Sequence, residues 1–164
     1  VFVSCKGNSE GVRLKGHIGI LLLFSSVFVN ALALAPTVSI QVTTPQRYSF
    51  SLGLTGVDWG RVFGTHSGFL VRAEPGLSGG KLHIGFRSAL SLILMPVASA
   101  DVTAAILRTW NDPWGGIESN QTYGGLELRI GMRLVTATVG VYRHMAGEDT
   151  EHEWITSLGA GFGL

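Results

Sequence analysis

Eight charged or titratable residues recur at alternate positions inside otherwise apolar segments: Arg72, Glu74, Lys81, His83, Arg87, Glu127, Arg129 and Arg133. Groups of this kind, gathered away from water, must pair, because an unpaired buried charge is costly. They form a structural ion-pair network, or they line a narrow ion or proton path. On the second reading, five Lys/Arg against two Glu favour anions. Arg108 and Arg143 make a second set, each near the end of an apolar segment. Guanidinium binds phosphate through paired hydrogen bonds; snorkelling of the aliphatic stem is the plain alternative. The third set is His144 with Glu148-Asp149-Thr150-Glu151-His152-Glu153. Two histidines and four carboxylates suit a divalent cation, and His144 or His152 is the candidate for a catalytic base. An acidic, solvated loop is the bland reading.

Other motifs carry little. Gly76-Leu-Ser-Gly79-Gly80-Lys81 lacks the spacing and the following helix of a phosphate loop. Asn120-Gln-Thr122 is only a formal glycosylation sequon. There is no His-Glu-x-x-His, and Cys5 is the one cysteine. We therefore expect no metal centre and no cofactor.

The elements that must position these residues alternate with a period of two, the signature of strands. In Tyr48-Ser-Phe50-Ser-Leu52-Gly-Leu54 every even residue is large and apolar. Leu82, Ile84 and Phe86 oppose Lys81, His83, Gly85 and Arg87. Leu126, Leu128, Ile130 and Met132 oppose Glu127, Arg129 and Arg133. The pattern predicts strands over 37–44, 47–57, 67–75, 80–92, 99–110, 122–133, 136–145 and 153–164. Four places fit poorly. The strand 37–44 is short, Asp58–His66 is long for a turn, and Ser91–Ala98 is apolar for one. Segment 99–110 mixes its faces, which leaves a bulge or a six-stranded variant open.

Composition decides between two architectures. A soluble barrel turns its apolar face inward; a membrane barrel turns it to lipid. Only 14% of the residues are charged, against about 25% in soluble domains, and the polar face is largely Ser, Gly and Thr. There are 23 glycines, roughly twice the usual share of ~7%, and glycine lets a narrow barrel close. The net charge of +1 gives no basic excess for nucleic acid. An up-and-down antiparallel transmembrane β-barrel follows, with Tyr48, Trp110 and Trp154 as an aromatic girdle at one rim.

Residues 1–33 are expected to be a signal peptide. Lys6, Arg13 and Lys15 precede an apolar run, Ile18 to Val29, and Ala31-Leu32-Ala33 is a small-x-small cleavage site. The run is about 12 residues, short of the ~20 that a spanning helix needs. Segment 1–11 overlengthens the charged region; a fragment or a start upstream of the true one is the expectation, and a start near Val12 would make the signal compact. The barrel occupies 34–164. Cys5 leaves with the signal, so the mature part has neither disulfide nor thiol chemistry.

On these residues, 37–164 plus the signal, the chain resembles the small eight-stranded bacterial outer-membrane β-barrel proteins. Leu158, Ala160, Phe162 and Leu164 resemble the segment read by the barrel-assembly machinery, although that segment usually ends in an aromatic residue. The resemblance implies an outer-membrane location, contact with outer-membrane lipid and lipopolysaccharide, assembly by that machinery, and a monomer. Arg108 and Arg143 would then meet lipid phosphates. Outer-membrane lipid A deacylases carry a His followed two residues on by Ser; His144 is followed by Met145 and Ala146, so that motif is absent. The expected role is structural or surface-interacting, with a filled lumen. Two rivals stand beside it: a lipid-modifying barrel enzyme, and a soluble periplasmic lipocalin-like binder that would turn Leu82, Ile84 and Phe86 inward around an apolar ligand.

Overall fold

The computed structural model describes residues 33–57, 64–92, 95–148 and 152–163. They form eight strands: β1 (Ala33–Thr43), β2 (Arg47–Val57), β3 (Gly64–Pro75), β4 (Gly79–Leu92), β5 (Met95–Thr109), β6 (Thr122–Met132), β7 (Val135–Ala146) and β8 (Trp154–Gly163). Each pairs antiparallel with its neighbour in sequence, and β1 pairs with β8, closing an up-and-down barrel. Closure satisfies the backbone of strands that would otherwise be edges. β1 pairs with β2 from Ala33 to Thr43 but with β8 only from Ser39 to Thr43. That stagger is what tilts the strands of a closed barrel.

The alternation places every segment expected to be a strand in one, and the six-stranded variant is excluded. Differences lie at strand ends. β1 begins at Ala33, β3 at Gly64 and β5 at Met95, so most of the apolar stretch Ser91–Ala98 is sheet and not turn. The strand register shifts between Leu90 and Ser91, the irregularity of a bulge, which interrupts a period of two. The signal expected over 1–33 lies, apart from Ala33, outside the described residues.

The two faces are chemically opposite. Leu128, Ile130 and Met132 are 39%, 53% and 70% exposed, whereas Glu127 and Arg129 are 2% and 3%. Leu82, Ile84 and Phe86 likewise point out. A lipocalin-like binder needs those three residues around its axis, so that rival is overturned. Among the described strand residues, Arg108 and Arg143 are the charged ones on the outer face. Aromatic and aliphatic side chains cover most of the rest, with Phe69 and Phe86 packed edge to face and Thr65, Ser67, Ser88 and Thr156 among them.

The two ends also differ. One carries the turns 44–46 and 76–78 and the connections 110–121 and 147–153; the other carries the connections after β2, β4 and β6. At the first end, loop 110–121 folds across its neighbours. Trp114 N–H donates to the Pro45 carbonyl at 3.0 Å, Asn111 Nδ2 donates to the Leu77 carbonyl at 3.1 Å, and Asp112 pairs with Arg47. Beneath it Ala105, Leu107, Tyr123, Tyr142 and Ile155 form the apolar core, joined by Ile117 from the loop.

Candidate functional site

The strand registers stack the inward side chains into layers. Arg87, Asp101, Arg129 and Thr138 lie side by side across β4–β7. The next layer is Gly85, Thr103, Glu127 and Gly140, and the next His83, Ala105, Gly125 and Tyr142. Each layer combines bulky residues with small ones, which is how a narrow barrel accommodates large side chains. Tyr142 shows the fit: a Cβ on Gly140 would stand 2.6 Å from its ring carbon Cε2, and one on Gly125 2.8 Å from Cδ1.

Seven of the eight residues in the first sequence set converge in these layers. Arg72 donates to Asp101 at 3.0 Å and to Glu127 at 3.3 Å. Lys81 Nζ donates to Glu127 at 2.8 Å, and Tyr142 Oη donates to the same carboxylate oxygen at 2.8 Å. Arg129 donates to Glu74 at 3.1 Å. Arg87 grips Asp101 through Nε and a terminal nitrogen, at 2.8 and 2.9 Å. His83 lies between Glu74 and Glu127, 3.7 Å from each. Arg133 is placed elsewhere: β6 ends at Met132, and Arg133 turns the chain at φ 52° with its side chain exposed. Parity carried the strand one residue too far.

Sequence reasoning missed members of the network. Asp101 is buried and serves both Arg72 and Arg87. Its signal was its shared parity with Thr103, obscured by the apparent mixing of faces in that segment. Gln41, Ser49, Tyr142 and Ser157 complete the network by hydrogen bonding. Among the described inward residues Arg72, Lys81, Arg87 and Arg129 thus meet three carboxylates, Glu74, Asp101 and Glu127.

This geometry limits the chemistry available. Ligand atoms of Glu74, His83 and Glu127 lie within 4.8 Å of one another, a spacing a metal ion accepts. Both carboxylates already accept from cations, and a dication there would face Arg72, Lys81 and Arg129 at close range. The donor set is that of an ion-pair network. Lys81 Nζ lies 2.8 Å from Ser157 Oγ, the spacing of a nucleophile and its base. However, Lys81 is held by Glu127, the Ser157 hydroxyl donates to the Thr44 carbonyl, and both residues are buried. A substrate has no approach.

The remaining candidates lie at the loop end. Arg108 is exposed and donates to Thr122 Oγ1 at 2.9 Å. Arg143 pairs with Glu153 at 3.1 Å and lies over the Trp154 ring. Tyr48 and Trp154 are exposed, and Trp110 is half-buried against Gly80. All three stand at the same rim. His144 contacts Gln121 Oε1 through Nε2 at 3.1 Å and packs edge to face on Tyr123. His152 is half-buried. Glu148 is exposed, and Asp149, Thr150 and Glu151 lie outside the described residues. With Glu153 engaged by Arg143, the described residues assemble no cation cage. Among the described residues the His144 ring meets Gln121 and the Tyr123 ring and no carboxylate, so the geometry builds no acyl-transfer relay around it.

The chain is therefore an all-β protein of the closed, eight-stranded antiparallel barrel class, with an ion-paired interior and an apolar exterior. Comparison with protein-family models, with curated proteins and with solved structures gave no match. The functional reading rests on the residues themselves.

Proposed function

We propose that this chain is a β-barrel of the bacterial outer membrane, with a structural or surface-interaction role and an interior filled by its own side chains. The observation that carries the reading is the outer face. All eight strands present Leu, Ile, Val, Phe, Ala and Met outward, and the two outward arginines of the described strands sit at one rim. Isolated exposed apolar residues are normal, but a continuous apolar belt marks a surface built for an apolar partner. Acyl chains match that belt. The strands are 10 to 15 residues long, and a tilted membrane crossing takes about 9–11. Tyr48, Trp110 and Trp154 would anchor the loop-end rim at the lipid headgroups. Arg108 and Arg143 stand at the same height, where lipopolysaccharide phosphates are available to guanidinium. On this reading the protein is folded by the barrel-assembly machinery and works as a monomer.

Fractionation tests the proposal. The full-length protein expressed in a bacterium should sediment with outer membranes. In detergent gels it should migrate faster unheated than boiled. Release by osmotic shock as a species soluble without detergent would overturn the reading.

A further inference from the structure

The barrel end opposite the loops holds a shallow cavity that the ion-pair network does not account for. Its polar lining consists of Arg87, Arg129, Arg133, Ser39, Ser99 and Thr136, with no carboxylate among the described residues that line it. The cavity measures about 30 Å³, more than the ~10–15 Å³ that seats a single water. It exists because the terminal inward layer is small: Ala89, Ser99, Gly131, Thr136 and Gly161 follow one another across β4–β8.

Three observations give this cavity a sign. First, three guanidinium groups border it. Arg87 uses Nε and one terminal nitrogen on Asp101, and Arg133 makes no ion pair among the described residues. Second, two polar atoms of the lining residues are buried without a hydrogen-bond partner, Arg129 Nε and Thr136 Oγ1. Arg129 is 3% exposed, so bulk water does not simply compensate it, and such groups call for a partner. Third, the described interior holds four Lys/Arg against three carboxylates, and Arg133 adds to the surplus at this mouth. A small anion seated there would offset the excess positive charge in a region of weak screening.

We propose that this mouth is an oxyanion site of the phosphate class, held by Arg87, Arg129 and Arg133 with the Thr136 hydroxyl. Arg133 lies in the turn after β6 and borders the cavity with an exposed side chain. Arg129 and Thr136 form the wall. Two sources supply the same chemistry, free phosphate and the phosphate of a lipid headgroup.

The probe is inorganic phosphate, titrated into the folded full-length protein in a zwitterionic detergent and followed by calorimetry and phosphorus NMR. Saturable binding is expected, weakened about tenfold or more by Arg133→Gln and by Thr136→Val, since each removes a hydrogen bond to a charged ligand. Arg133 is exposed and Thr136→Val preserves side-chain volume, so both variants should retain heat-modifiable migration. Reconstitution with phosphatidic acid separates the sources. Displacement of bound phosphate by that lipid identifies a headgroup site; phosphate affinity indifferent to it identifies a free anion. Absence of saturable phosphate binding, or affinity unchanged in both folded variants, overturns the proposal.

Discussion

Lys81 on β4 donates to Glu127 on β6 at 2.8 Å, 46 residues away in sequence, with both side chains at most 1% exposed. The same carboxylate accepts from Tyr142 and Arg72. Glu127 thus ties together β3, β4, β6 and β7 from the inside, where the apolar outer face contributes no cross-barrel contact.

Removing that carboxylate strands its cations. Glu127→Ala is expected to cost about 3–5 kcal/mol, the penalty for breaking one side of a buried ion pair. Lys81→Met in the Glu127→Leu background should recover a large part of the loss, because the charges leave together. Urea titrations of the refolded protein in lipid vesicles, read by tryptophan fluorescence, measure both. A single Glu127→Ala variant as stable as the parent would mean that the network does not hold the strands together.

The fit around Tyr142 gives a second test. A methyl group on Gly140 would press on the Tyr142 ring, and overpacking of this kind costs about 1–3 kcal/mol. Tyr142→Leu supplies the missing space at the price of the hydrogen bond to Glu127. Gly140→Ala should therefore be markedly less damaging in the Tyr142→Leu background than in the parent. The same denaturation assay, run as a double-mutant cycle, reads the coupling. Additive effects would show that the two side chains do not share the space.

Much of this architecture was legible in the sequence because barrel strands write their facing directly into residue parity. Glu127, Arg129 and Ile130 are consecutive or nearly so, and their opposite fates follow from position alone. Partnership was not legible. Nothing in the spacing of Arg87 and Asp101 shows that they oppose each other across β4 and β5; that depends on register, which the shift at Leu90/Ser91 helps to set. Arg133 failed for a related reason. Alternation continues through Met132 into the turn, and only the backbone at φ 52° ends the strand. Tyr142 reads as another large residue in an apolar run, and its inward role appears only beside Gly125 and Gly140.

The outer face supplies the prediction that separates lipid from water. Leu128 is paired with Val102 and Val139 and stands near the middle of β6, among outward apolar residues away from both rims. Leu128→Arg places a charge where acyl chains are proposed. At the membrane midplane that costs about 2–4 kcal/mol, whereas an exposed substitution in water is usually within about 0.5 kcal/mol. Thr122→Arg, at the loop-end rim beside Arg108, should cost far less. Equal, small effects at both positions in vesicle-based unfolding would contradict a lipid-facing surface.

Conduction is the last property that the packing decides. Leu107, Tyr123 and Tyr142 are fully buried, and Arg72, Lys81 and Glu127 interlock across the axis beneath loop 110–121. A path for ions would have to part this network and expose paired charges one at a time, each step at a desolvation penalty. Planar bilayers containing the protein should therefore stay electrically silent under moderate voltage. Replacing Tyr123 and Tyr142 together with alanine hollows the apolar layer, yet the ion pairs beyond it remain, so that variant should stay silent as well. Only loss of both layers, with Arg72, Lys81 and Glu127 truncated together with Tyr123 and Tyr142, is expected to admit current. Stable open events from the unaltered barrel would show that the interior is a pathway instead of a core.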